Sequence, residues 1–162
     1  MCDAKKMWYL STVLQTIIYK DIVKRHNIKD VEYLERLMHY IADIVGSQVS
    51  LRNIIQASKN YWWGEPSTAT VSNYLNLLQQ PYLIHKARRF DVKGKRILEH
   101  NEKYYFNDIG IRNFFKVDMQ QDIGKLIENV VYLHLRKCGY TVYIGAFGEK
   151  EIDFVAQKWQ DM

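Results

Sequence analysis

Two prolines and two cysteines in 162 residues leave little room for several kinds of protein. Cys2 and Cys138 stand far apart and form no Cys-x-x-Cys pair. Free thiols in a reducing cytoplasm are therefore expected, not a disulfide framework or a thiolate metal site. No apolar run approaches the roughly 18 residues that a membrane span needs. The segment after Met1 to Lys6 is broken by Ser11, Thr12, Gln15 and Thr16, which argues against a signal peptide. The histidines at 26, 39, 85, 100 and 134 have no zinc spacing and read as structural or surface groups. No Gly-x-x-x-x-Gly-Lys-Ser/Thr loop is present to cradle phosphates, so ATP hydrolysis by this chain is not expected. No nucleophile–base spacing, internal repeat or low-complexity stretch stands out either.

What is present centres on residues 47–108. Thr68 to Gln79 reads as a helix, with Val71, Tyr74, Leu75 and Leu78 on the buried side and Ser72, Asn73, Asn76 and Gln79 on the other. Pro66 and Ser67 suit its start and Pro81 its end. Tyr82 to Phe90 and Ile97 to Phe106 read as strands joined by a turn through Asp91 to Arg96. Helix, loop, helix and hairpin together predict a winged helix-turn-helix. Such a module lays an uncharged polar helix face in a DNA major groove and its wing against phosphates. Residues 81–100 carry a net charge of +4 from Lys86, Arg88, Arg89, Lys93, Lys95 and Arg96 against Asp91 and Glu99. A basic hairpin suits a polyanion, although cations also protect an exposed strand from aggregation. The expected DNA contacts are Ser72, Asn73, Asn76, Lys86, Arg88, Lys93, Lys95 and Arg96.

Earlier in the chain, Trp8 to Lys24 is a helix with Leu10, Val13, Leu14, Ile17 and Ile18 along one side. Residues 1–29 form an N-terminal helical segment ahead of the winged domain, placed at 30–116. Asp30 caps a helix to Val45, and Ser47 or Ser50 opens a short one through Ala57. Tyr61, Trp62 and Trp63 either fold back on the core or stack on a base or partner. Asp108 caps a short helix through Phe115, and residues 117–121 are a polar linker and domain boundary. Beyond it come a helix from Asp122 to Cys138, with Ile123, Leu126, Ile127, Val130, Val131 and Leu135 apolar, and strands at 141–147 and 150–157. The fold class is α+β.

Three stretches resemble the C-terminal region of a prokaryotic AAA-type ATPase family: residues 21–30, 93–113 and 122–132, with Glu151-Ile152-Asp153-Phe154-Val155 fitting the same pattern. The resemblance covers about residues 8–157. It implies that the winged helix is followed, at 122–162, by the start of a PD-(D/E)xK nuclease-like domain, and that an ATPase domain precedes both in the family. It places Glu128 at the acidic position of the nuclease helix and Asp153 at the metal-binding aspartate of the second strand. The strand that would bring a further acidic residue and a lysine has no counterpart in the chain. The nuclease motif is thus incomplete, and the ordinary readings are a solvated helix residue for Glu128 and a polar strand-face residue for Asp153. No cofactor is expected; Mg²⁺ would be the ion of a completed site.

Three functions follow in order. The first is a winged-helix module binding double-stranded DNA. The second is a protein-interaction module that docks on an ATPase domain or a homologous full-length protein, or pairs with itself. The third is a metal-dependent nuclease. An isolated two-stranded sheet on one helix is marginal, so residues 122–162 are expected to be poorly ordered or to form a homodimer through the 150–157 strand. A cytoplasmic protein with no membrane partner is expected.

Overall fold

Asp30, Ser50, Ser67 and Asp108 each accept a hydrogen bond from a backbone N–H three residues on, and each starts a helix. This computed structural model describes residues 3–61, 64–116 and 123–158. Helix α1 (Asp3–Gln15) runs on into a π-helical segment, Thr16–Lys24. Then come α2 (Val31–Asp43), α3 (Leu51–Asn60), α4 (Thr68–Gln79), β1 (Ile84–Asp91), β2 (Arg96–Phe106), α5 (Ile109–Phe115), α6 (Ile123–Lys137), β3 (Tyr140–Phe147) and β4 (Lys150–Lys158). The architecture is mixed α+β. Among the described residues it has six α-helices and one four-stranded mixed sheet in the order β2-β1-β3-β4.

The core is built where the helical stripes meet the sheet. Leu34, Leu37, Met38 and Ile41 of α2, Ile54 of α3, and Val71, Leu75 and Leu78 of α4 are almost fully buried. Leu14, Ile18 and Ile22 close the same core from the N-terminal helices. Val49, just before α3, makes a single antiparallel bridge to Glu102 of β2. Among the described residues, no helix is long and apolar enough to cross a membrane.

The C-terminal segment is arranged differently from the isolated hairpin on one helix that its sequence suggests. Strand β3 pairs in parallel with β1, Arg89 to Asp91 against Ile144 to Ala146, and Val92 N–H donates to Ala146 O at 2.9 Å. The β1–β2 hairpin is thereby the other half of the same sheet. Strand β4 pairs antiparallel with β3 and forms one edge. The expected boundary at 117–121 lies outside the described residues.

Helix α6 also departs from its apolar pattern. It buries Asn129 and Tyr132, while Ile123, Ile127, Val130 and Val131 are exposed. The reason is polar. Phe106 N–H donates to Asn129 Oδ1 at 2.9 Å, and Asn129 Nδ2 donates to Phe106 O at 2.8 Å. One carboxamide satisfies both backbone groups at the end of β2, as a neighbouring strand would.

Candidate nucleic-acid interface

Helix α4 presents its polar residues as its periodicity predicts. Asn73 and Asn76 are exposed, and Ser72 is half-buried. Ser72 and Asn76 line one wall of a groove of about 320 Å³. The other wall is β2 from Glu99 to Glu102, and Arg52 of α3 stands at its side. Strand β2 is also the strand that leaves the basic turn.

That turn is ordered by its one acid. Asp91 Oδ1 accepts from Lys93 N–H at 3.2 Å and Gly94 N–H at 2.9 Å, and Asp91 Oδ2 lies 3.6 Å from Arg96 Nε. A Cβ on Gly94 would come 2.3 Å from Asp91 Oδ2, so a larger residue there would displace the carboxylate that orders the turn. Lys93, Lys95 and Arg96 are exposed. Arg89 sits at the base of the turn, and its Nε is buried with no hydrogen-bond partner.

Two of the cations expected in the same interface are less available to it, although Lys86 does line the groove beside α4. Lys86 is half-buried, and its Nζ is 3.0 Å from Glu102 Oε1, so much of its charge is offset within the chain. Arg88 is exposed but lines a different cavity, shared with Arg136 of α6 and Tyr143 of β3. Strand alternation sends it away from the turn that its sequence number associates it with. Of the aromatic trio after α3, Tyr61 is exposed; Trp62 and Trp63 lie outside the described residues.

Glu128 and Asp153, the two acids singled out by the expected nuclease resemblance, have separate surroundings. Glu128 Oε1 accepts from Lys103 Nζ at 2.9 Å and from Tyr105 Oη at 2.7 Å. Its carboxylate lies over Gly46, whose φ of +70° and missing Cβ leave the space; a Cβ there would meet Glu128 Oε2 at 3.1 Å. Asp153 is exposed, and no hydrogen bond or ion pair engages it among the described residues. The carboxylate that joins Glu128 is Glu151, which pairs with the same Lys103 and accepts from Gln48. A bulge explains the exchange. Tyr143 opposes Val155 and Gly145 opposes Ile152, so one residue of β3 faces two of β4. Strict alternation is lost across Asp153. Glu151 comes to the side where Phe154 meets Tyr132, 6.2 Å between ring centroids.

Lys103 is only 3% exposed, and sequence reasoning passed over it because a charged residue is seldom buried. Burial works against its charge, but the bonds to Glu151 and Glu128 outweigh it and hold its proton more tightly than usual. Burial likewise opposes the charge on Glu151. The hydrogen bonds from Lys103 and Gln48 and the nearby Arg89 charge prevail, holding that carboxyl below the usual range. Burial, followed by the bond to Glu128, raises the Tyr105 hydroxyl far above the ordinary phenol range. The arrangement is a saturated ion-pair cluster tying β2, α6 and β4 together. Among the described residues, no group of three or more His, Cys, Asp or Glu is placed to hold a metal ion.

Comparison with known proteins gives kinship without an activity. No solved structure matches the chain. An uncharacterized protein of Haemophilus influenzae is 33% identical over 152 residues, which cover 92% of this chain and 37% of that protein. An uncharacterized protein of Methanocaldococcus jannaschii is 29% identical over 150 residues, covering 90% of this chain and 33% of that protein. The chain therefore spans about a third of the length of these curated relatives. Residues 2–122 match the family described as a domain of unknown function (DUF8612), and the chain belongs to that family.

Proposed function

We propose that the chain is a winged helix-turn-helix module that binds double-stranded DNA. The observation that carries this reading is the solvent-facing uncharged surface of α4, with Asn73 and Asn76, beside a strand that leads from an exposed cationic turn. The element order supports it: helix α2, an extended bridge at Val49, helices α3 and α4, then the β1–β2 hairpin. Asparagine can pair with adenine through two hydrogen bonds in the major groove, and the turn's Lys93, Lys95 and Arg96 would neutralise phosphates. Glu99 and Glu102 line the groove beside α4, so the contact is confined to the outer face of the helix and the turn. We further propose that the module is the C-terminal part of an AAA-type ATPase, with α6, β3 and β4 as the start of a nuclease-like fold. Selection on a random-sequence duplex library tests the base contacts. Asn73→Ala or Asn76→Ala should relax the preference by about 1–3 kcal/mol per lost bidentate pair. An untouched preference would remove α4 from the groove.

A second reading has its own support. Exposed Ile123, Ile127, Val130 and Val131 form an apolar side of α6, and β4 is a sheet edge. These suit a protein partner, either an ATPase domain or a second copy pairing through residues 150–157. Sedimentation at increasing protein concentration tests the self-pairing form, which requires a dimer.

A further inference from the structure

Strands β1 and β3 pair only from Arg89 and Ile144 onward. Ahead of that stretch, Arg88 of β1, Tyr143 of β3, Tyr132 and Arg136 of α6, and Tyr82 line a cavity of about 280 Å³. No carboxylate lines it. Arg88 and Arg136 come from different elements, both are exposed, and no acid engages either among the described residues. Lys86 also reaches the cavity, with Glu102 offsetting its charge. Arg136 alone could be explained by the negative end of its helix, since it lies in the last turn of α6. That account does not extend to Arg88.

An aromatic surface runs along the same opening. Tyr82 is 68% exposed, and its ring centroid stands 6.3 Å from that of His85, which is 5.9 Å from the ring centroid of buried Tyr132. Tyr82 holds a left-handed φ of +58°, an unusual conformation for a bulky side chain. Backbone strain of this kind concentrates at binding positions. An exposed ring beside two unpaired guanidiniums matches one ligand chemistry. A guanidinium fork holds a phosphate through paired hydrogen bonds, and a ring face accepts any base by stacking.

We propose that this cleft binds a nucleotide unit, with its phosphate between Arg88 and Arg136 and its base against Tyr82. The cleft touches the end of α4 at Gln79 and shares Lys86 with the groove beside that helix, but it does not rest on duplex binding at Asn73, Asn76 or the turn. The unit could be part of an unpaired strand or a free nucleotide, which share this chemistry.

The test is fluorescence anisotropy with a short labelled oligothymidylate and the whole chain. Binding should be measurable, and Arg88→Gln combined with Arg136→Gln should weaken it at least tenfold. Tyr82→Ala should weaken it by about tenfold, as the loss of one stacked base does. Tyr82→Phe keeps the ring and should match the unaltered protein. Competition separates the sources. Displacement by thymidine monophosphate at equal nucleotide concentration assigns a free nucleotide; displacement by unlabelled oligothymidylate alone assigns a strand. No binding of either, or binding that the Arg88, Arg136 and Tyr82→Ala variants leave unchanged, overturns the proposal. Duplex binding measured on the same variants keeps this result apart from the one at the turn.

Discussion

The ammonium of Lys103 sits 2.9 Å from Glu128 Oε1, nearly sealed from water, and the same ammonium also pairs with Glu151. A cation on β2 is thus shared by carboxylates of α6 and β4. Two like charges are held on one side of the sheet only because that cation lies between them.

Lys103→Met should therefore cost about 3 kcal/mol at neutral pH, because it leaves two partly buried carboxylates facing each other. The pH dependence has a definite sign. Glu151 is held below the usual carboxyl range, so its contribution is present above that range and is lost as pH falls through the folded value. Lys103 is held above 10.5, so its contribution is present below that pH and is lost as pH rises through its folded value. Urea denaturation of both proteins should show the difference between them shrinking toward acid, where Glu151 protonates. A constant difference would mean that the cluster is not ionised as described.

Asn129→Ala should be among the costlier single changes in α6. It strips the buried N–H and C=O of Phe106 of their side-chain partner, for a loss of about 2–4 kcal/mol. Ile127→Ala, on the exposed side of the same helix, should cost little by comparison. Chemical denaturation of the two variants checks this ranking, and the apolar pattern alone would predict the opposite order.

Tyr82→Gly should raise stability by about 1 kcal/mol, since glycine removes the left-handed penalty. The same change should abolish the stacking surface of the nucleotide cleft. Thermal unfolding read beside oligothymidylate anisotropy would show stability and binding moving in opposite directions.

Local chemistry made much of the fold legible. The capping residues Asp30, Ser50, Ser67 and Asp108 and the buried stripe of α4 follow from rules that act within a turn or two of chain. The parallel pairing of β1 with β3 joins residues more than fifty apart and leaves no local signature. The facing of α6 was hidden for another reason: hydrogen bonds made burial of Asn129 favourable, and periodicity counts only apolar residues as inward. At the site, the exposed Asn73, Asn76 and turn cations could be read from alternation and charge. The bulge that favours Glu151 over Asp153, and the move of Arg88 to the α6 cleft, depend on strand register, which composition does not encode.

The central claim is that the turn at Lys93, Lys95 and Arg96 grips duplex phosphates. The most direct measurement is the salt dependence of duplex binding for the unaltered protein and for Lys93→Ala/Lys95→Ala/Arg96→Ala. The account predicts weaker binding to all sequences alike and a slope of log affinity against log salt reduced by up to about one unit per lost contact. An unchanged slope in the triple variant would contradict it.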